Sequence, residues 1–212
     1  MTENIQVLIH SSIKITGEAT IYVDPFHVVE AAGDADIILI THDHYDHYSP
    51  EDIAKVIKED TILVVPRKME RQVEEISCGE IVTVEPGEQK QLGSIAIETV
   101  PAYNSLKPFH PRAKGWVGYL IETGGARIYI AGDTDMTPES QAVTCDVAMV
   151  PIGGTFTMNA KKAAELVNVI RPKVAIPTHY GSVAGVRENE DVFRAHVDAD
   201  IAVEIKMQRY EE

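Results

Sequence analysis

Short apolar runs separated by turn residues make up the first half of the chain. Segments rich in Ile and Val are bounded by Gly, Pro, Asp or Ser, a pattern that predicts short β-strands. These segments lie at 6–9, 13–15, 19–23, 37–40, 61–65, 81–84 and 95–100. Two further runs, 116–122 and 127–131, flank the segment Thr123-Gly124-Gly125-Ala126, which predicts a β-hairpin.

Helices are predicted where apolar residues recur every three or four positions between the strands. These segments are 50–58, 69–76, 160–170 and 188–196, with further strands at 147–151, 174–176 and 201–205. Ser49 and Pro50 give the first helix a strong start signal, and either Thr157 or Asn159 is expected to cap the third. Strands in runs with helices between them predict a layered, mixed α/β fold. The 212 residues contain no linker or repeat, so a single domain over 1–212 is expected.

Composition narrows the class of protein. A hydrophobic fraction of 44% is ordinary for a globular chain. The sequence has no apolar run long enough to cross a membrane and no signal peptide, and Cys78 and Cys145 lie far apart, which favours reduced thiols and a cytoplasmic location. The net charge of −14 argues against nucleic acid as a partner, because binding its backbone draws on clustered Lys and Arg.

The strongest chemical signal is a histidine cluster that follows the apolar run 37–40. The segment His42-Asp43-His44-Tyr45-Asp46-His47 holds three of the eight histidines. His42 and His44 are two residues apart, so on an extended segment their side chains point the same way. Asp46 and His47 follow and can serve a neighbouring position. Imidazole and carboxylate together suit zinc and similar divalent ions, so the segment predicts a site for one or two metal ions.

This His-x-His-x-Asp-His motif resembles the signature of the metallo-β-lactamase superfamily. The segment 127–134, a strand that runs into Asp133, resembles the family's aspartate motif, and 174–180, which contains His179, resembles its last-histidine motif. The resemblance extends from residue 10 to residue 180. It implies a four-layer αββα sandwich with the site at one edge between two sheets. It also implies the branch of small cytoplasmic hydrolases that includes lactonase-like members.

The resemblance implies a set of metal ligands with one departure. The first metal would take His42 and His44, the second would take Asp46, His47 and His179, and Asp133 would bridge them. The family's middle histidine is replaced here by Asn104, whose amide oxygen is a poorer zinc ligand. Three alternatives stay open: His110 replaces the missing ligand, His110 lies at the surface or toward the substrate, or only the second metal is bound.

Several other residues are candidates for supporting roles. Asp24 is expected to accept a proton from a ligand histidine, as carboxylates behind metal ligands do. His10 either lies near the site, faces the substrate or has a structural role. Arg112 and Tyr180 adjoin the candidate loops and are expected either to support the site or to face the substrate.

These features predict a metal-dependent hydrolase that acts on an ester, lactone or phosphoester of a small-molecule substrate through a metal-activated water. Asp46 is the predicted catalytic residue, which orients the nucleophile and carries a proton to the leaving group. Zinc is the favoured metal, with manganese, iron and nickel as alternatives. Rival hypotheses are a degenerate metal-binding protein, a di-iron redox protein, which would typically carry Glu in place of His44, and a nuclease. Substrate identity is left open, and so is a homo-oligomeric state.

Overall fold

Two β-sheets packed face to face form the centre of the computed structural model, which describes residues 1–211. The first sheet has six strands in chain order: β1 (Ile5–Ile9), β2 (Ser12–Ile15), β3 (Ile21–Val23), β4 (Ile37–Leu39), β5 (Ile62–Pro66) and β6 (Glu80–Val84). The first three strands are antiparallel, and β3 to β6 are parallel.

The second sheet has seven strands: β7 (Gln89–Leu92), β8 (Ile95–Pro101), β9 (Val117–Thr123), β10 (Ala126–Ile130), β11 (Val147–Pro151), β12 (Val174–Thr178) and β13 (Ala202–Val203). Its order is β13-β12-β11-β10-β9-β8-β7, antiparallel from β7 to β10 and parallel from β10 to β13. The predicted hairpin joins β9 to β10. Gly124 and Gly125 both have positive φ there, of 57° and 72°, which the two central residues of such a tight turn require.

The helices are α1 (Pro50–Val56), α2 (Glu70–Val73), α3 (Pro138–Gln141), α4 (Ala160–Ile170) and α5 (Asn189–His196). Alternation along β4 explains the layers. Ile37 and Leu39 belong to the core shared by the two sheets, whereas Ile38 packs with Ile53 and Val56 of α1 on the outer face. On the other side, α4 and α5 pack with the buried strands of the second sheet. The four-layer αββα architecture is therefore confirmed.

The caps predicted for the N-termini of α1 and α4 are present. Ser49 Oγ accepts a hydrogen bond of 3.2 Å from Asp52 N, and Asn159 rather than Thr157 caps α4. The helix predicted over 69–76 is shorter in the structure: a 3-10 turn at Arg67–Met69 is followed by α2, which ends at Val73. Strand β7 and helix α3 were not predicted. The sequence of β7 is polar and buries only Leu92 at the sheet edge, so it carries no hydrophobic signal.

Among residues 1–211, none of the helices has the length and apolar composition needed to cross a bilayer. Strand ends instead determine where the chemistry lies. The segments after β1, β3, β4, β8, β10 and β12 carry every predicted metal ligand and both His10 and Asp24. They converge at one edge between the two sheets, where Val117 N donates to Thr41 O at 3.2 Å and Tyr119 donates to Ile40 O at 2.7 Å.

Candidate metal centre

Ligand atoms from five segments form adjoining groups, and within each group the atoms lie within 4.8 Å of one another. The groups are His42, His44 and His110; His10, Asp46, His47 and His179; and His42, His47 and Asp133. All of these residues are buried except His44, which is half-buried. The structure thus brings His110 beside His42 and His44, where the sequence left its position open.

Asp133 lies between the two histidine groups. Its Oδ2 is 3.2 Å from His110 Nε2 on one side and 3.0 Å from His179 Nε2 on the other, and its Oδ1 is 3.3 Å from His47 Nε2. The Oδ2 atom of Asp133 thus lies between the two histidine groups, where this carboxylate could ligate a cation held by either group.

The backbone around the centre is held in unusual conformations. His10, Asp24 and His179 have φ of 53°, 46° and 56°, in the left-handed region that costs a non-glycine residue about 1–2 kcal/mol. Hydrogen bonds fix this backbone, since His179 N donates to His10 O at 2.9 Å. Gly132 also has positive φ, and a Cβ there would lie 3.1 Å from Val117 O. Glycine at position 132 therefore allows the backbone to pass close to Val117 and to place Asp133 in the centre.

The unpartnered atoms of the centre fit divalent cations. The Nε2 atoms of His42, His47, His110 and His179 and the Oδ1 of Asp133 are buried without a hydrogen-bond partner among residues 1–211. Buried polar atoms are ordinarily hydrogen-bonded, so five such atoms in one place indicate a missing positive partner. Nitrogen and carboxylate oxygen are the donors that zinc and related ions accept.

Hydrogen bonds behind the imidazoles set the direction of these lone pairs. His47 Nδ1 donates to Asp24 Oδ2 at 2.7 Å, and Thr41 donates both its N–H and its hydroxyl to the same carboxylate, at 2.8 and 2.6 Å. The Thr41 oxygen in turn lies 2.9 Å from His42 Nδ1 and accepts its proton. Because the proton sits on Nδ1, the Nε2 lone pair of each ring faces the centre. This is the proton-accepting position predicted for Asp24.

Asn104 is hydrogen-bonded to His110, the candidate replacement for the missing histidine ligand. Its Oδ1 lies 3.0 Å from His110 Nδ1 and 3.2 Å from His110 N, and it accepts from both. Its Nδ2 donates to Phe156 O at 3.0 Å, which fixes the amide orientation. Since an amide oxygen can only accept, His110 carries its proton on Nδ1 and presents Nε2 toward Asp133. The residue at the expected ligand position thus orients another candidate ligand.

Electrostatics keep the two central carboxylates ionised. Burial alone would raise the pKa of Asp46, but contacts with His10 and His179 outweigh it and hold the pKa well below its usual range. Burial likewise opposes the charges of His179 and His47 at Asp133, and the pKa of Asp133 is well below normal. For His179 burial is outweighed by Asp133, which raises its pKa to about 9. Positive charge, from a proton or a metal ion, is therefore favoured at this position.

Three other imidazoles of the centre, those of His10, His42 and His44, are neutral near physiological pH because their pKa values are lowered. Burial lowers the pKa of His10 to about 4, and it lowers the pKa values of His42 and His44 as well. Neutral imidazole is the form that binds metal. His10 lies near the site, as one of its alternatives had it: its Nε2 is 3.1 Å from Asp46 Oδ2, and its ring centroid is 3.9 Å from that of His179.

The structure does not bring Arg112 and Tyr180 to the ligand atoms. Arg112 is exposed and pairs with Glu139 of α3 at 2.6 Å. Tyr180 is completely buried, and its hydroxyl donates to Glu190 of α5 at 2.9 Å. The side chain of Tyr180 therefore does not face a substrate, whereas its supporting role and both roles expected of Arg112 stay predictions. Both side chains turn from the candidate loops toward helices.

Two residues beside the site carried no signal in the sequence. Phe156 and Val183 lie in loops after β11 and β12, and together with Phe109 and Tyr45 they line a cleft that opens on Asp46 and Asp133. Each lies in a loop that also contains Gly with Ser or Thr, and a sequence pattern does not distinguish it from an ordinary loop residue.

Known proteins resemble this chain in both sequence and fold. The family model of the beta-lactamase superfamily domain matches residues 4–179. A UPF0173 protein of Pyrococcus furiosus is 34% identical over 166 residues, which cover 76% of this chain and 75% of that protein. A UPF0173 metal-dependent hydrolase of Thermus thermophilus is 30% identical over 202 residues, 89% of this chain and 88% of that protein. A crystal structure from Parabacteroides distasonis superposes with a TM-score of 0.83 at 32% identity, covering 96% of this chain and 93% of that one.

Proposed function

The chain belongs to the beta-lactamase superfamily and is a metal-dependent hydrolase, and we propose that it cleaves an ester, lactone or phosphoester bond at a two-metal centre. One observation carries this proposal: Asp133 lies between the Nε2 atoms of His42 and His110 on one side and those of His47 and His179 on the other, and these four buried atoms have no hydrogen-bond partner among residues 1–211. The grouping of His110 with His42 and His44, and its hydrogen bond to Asn104, support His110 as the replacement ligand over the alternative that Asn104 marks a degenerate site.

Each metal position has its own proposed ligands. The first would be held by His42, His44, His110 and Asp133, and the second by Asp46, His47, His179 and Asp133. Zinc is the first candidate because the set is rich in imidazole, with manganese, iron and nickel as alternatives. When bound, such ions polarise the scissile group and make water more acidic.

The chain's own contribution to the reaction centres on Asp46. Its carboxylate lines the cleft, is ionised, and is held in place by His10 at 3.1 Å. An ionised carboxylate at the mouth of the site can accept a proton from water and pass it to the leaving group. His10 is neutral near physiological pH, so it steadies Asp46 through a hydrogen bond without adding charge.

Metal removal and restoration tests the proposal. The protein is stripped with a chelator, loaded with each candidate metal, and assayed on panels of esters, lactones and phosphodiesters. Activity is expected only after loading, and Asp46→Asn is expected to lose about 10²–10⁴-fold, the usual contribution of a positioned acid–base group. Asp43→Asn is the matched control, because Asp43 belongs to the same loop but contacts Gln72 instead. Full activity of the metal-free protein would refute the proposal.

A further inference from the structure

A cleft of about 330 Å³ opens on the candidate metal centre, and most of its wall is apolar. Three groups of the centre form its floor, namely His44, Asp46 and Asp133. The remaining lining residues are Tyr45, Phe109, Phe156 and Val183. Phe109 and Phe156 meet edge to face with ring centroids 4.9 Å apart.

The apolar side chains of this cleft are unusually exposed for their size. Tyr45 is 69% exposed and Phe109 is 42% exposed. Exposed aromatic residues that adjoin convergent polar groups mark ligand sites, because leaving such surface in water has no structural benefit. The walls therefore offer apolar area that a bound molecule would cover.

Among residues 1–211, no Lys or Arg lines the cleft. Lys107 lies two residues before Phe109, but its ammonium turns away to donate to Gly154 O at 3.1 Å and to pair with Asp135 at 3.5 Å. Arg112 is paired with Glu139. A carboxylate or phosphate held against these walls would lose hydration without gaining a cationic partner, which is costly.

The walls are joined to the ligand loops. Tyr45 lies between His44 and Asp46, and Phe109 immediately precedes His110. Phe156 is connected to the same region through its carbonyl, which accepts from Asn104 Nδ2 at 3.0 Å. A group that fills the cleft would thus be oriented directly against the centre and would exclude water from it.

We propose, resting on the hydrolase function proposed above, that this cleft binds the non-reacting part of the substrate and selects an uncharged apolar group. At about 30 Å³ for each atom, the volume of a water in the liquid, the cleft holds roughly ten non-hydrogen atoms. The preferred substrates are then esters or lactones with a medium-length acyl or aryl group. Substrates that carry a carboxylate or phosphate in that group are disfavoured.

Straight-chain alkyl hydroxamates test this selection without requiring turnover, because the hydroxamate chelates metal and the chain is free to enter the cleft. Calorimetric titration of the metal-loaded protein with probes from acetohydroxamate upward is expected to show Kd falling about two- to fourfold for each methylene, the effect of burying one such group. The fall is expected to stop when the cleft is full. A probe of octanoyl length that ends in a carboxylate is expected to bind no tighter than acetohydroxamate.

Three variants separate the cleft from the fold. Phe109→Ala and Phe156→Ala are expected to flatten the dependence on chain length while leaving the Kd of acetohydroxamate within about twofold. Phe109 is partly exposed, so its truncation does not open the core. The matched control is Leu106→Ala, from the same loop, because Leu106 is 97% exposed and does not line the cleft.

A Kd that does not change with chain length, or that is equally tight for the carboxylate-ended probe, would overturn the proposal. Ester hydrolysis measured on the same loaded samples distinguishes the two levels of the argument. Chain-length dependence without hydrolysis of any ester, lactone or phosphodiester contradicts the hydrolase function and leaves the cleft assignment standing. Hydrolysis without chain-length dependence contradicts the cleft alone, and the absence of both hydrolysis and hydroxamate binding contradicts both.

Discussion

Truncation of Asn104 tests whether this residue builds the first metal position through His110. Asn104→Ala removes two hydrogen bonds that orient His110, at 3.0 and 3.2 Å, and one to Phe156 O at 3.0 Å. His110 Nε2 would then no longer be held 3.2 Å from Asp133. The second metal position contains none of these contacts, so the effect is expected at one ion only.

The expected magnitudes follow from the number and kind of contacts. A hydrogen bond contributes about 0.5–1.5 kcal/mol net, so the loss of three is expected to lower the free energy of unfolding by about 2–3 kcal/mol. Removing the partner that orients a metal-bound imidazole typically weakens metal affinity about 10–100-fold. Asn104→Asp keeps an oxygen for His110 Nδ1 and is expected to retain most of the affinity.

Titration against a competing chelator, with metal counted by elemental analysis, measures the two affinities. The unchanged protein is expected to bind two ions, His110→Ala one, and Asn104→Ala two with the weaker one further weakened. Spectra of ¹⁵N-histidine in the metal-free protein add a readout that a merely structural role would not move, since Asn104→Ala should release His110 from its Nδ1-protonated form. The reasoning is wrong if Asn104→Ala changes neither the weaker affinity nor that tautomer.

Three further predictions concern the support of the centre and of the fold. Asp24→Asn should weaken metal binding about 10–100-fold by chelator competition, because Asp24 accepts from His47 and, through Thr41, orders His42; unchanged affinity would contradict this role. Gly132→Ala should lower both metal content and the free energy of unfolding, because the added Cβ would lie 3.1 Å from Val117 O. Gly93→Ala is the control: Gly93 has a similar φ of 59° but open space around it, so this substitution should cost only the conformational strain of about 1–2 kcal/mol. At Asp52, burial is outweighed by hydrogen bonds from Lys55, Ser49 and the backbone of His27 and Val28, so the folded pKa is lowered. Its stabilisation is therefore present above the unfolded pKa of about 3.9 and lost as pH falls through the folded pKa. Urea titrations should show Asp52→Asn less stable near neutral pH, with the difference disappearing in acid, and a difference that persists there would contradict this account.

Local patterns were enough to predict much of the fold and most of the centre. A strand that is apolar on both faces, such as β4, is predicted from its sequence to be covered on both sides. Ser49 and Pro50 likewise mark the start of α1. The segments with His42, Asp133 and His179 each follow a strand, and their resemblance to the metallo-β-lactamase motifs predicted a shared site. What local patterns could not predict depends on tertiary contacts. Whether His110 reaches His42 depends on a hydrogen bond to Asn104, and the polar strand β7 exists because β8 supplies its partners.

The two proposed metal positions are supported by groups of different charge. This difference predicts the order in which metal ions bind to them. Behind His47 stands the carboxylate of Asp24, and the second position also has Asp46 in addition to the shared Asp133. Behind His110 stands the neutral amide of Asn104, and among residues 1–211 Asp133 is the one carboxylate beside the first position. A carboxylate partner raises the basicity of the imidazole, and a second carboxylate ligand adds attraction for the cation. We therefore expect the position of Asp46, His47 and His179 to load first and the position of His42, His44 and His110 to be more easily stripped. Stepwise metal titration followed by ¹⁵N-histidine spectra should show His47 and His179 shifting at the first equivalent and His110 at the second; simultaneous shifts would show that the carboxylates do not decide the order.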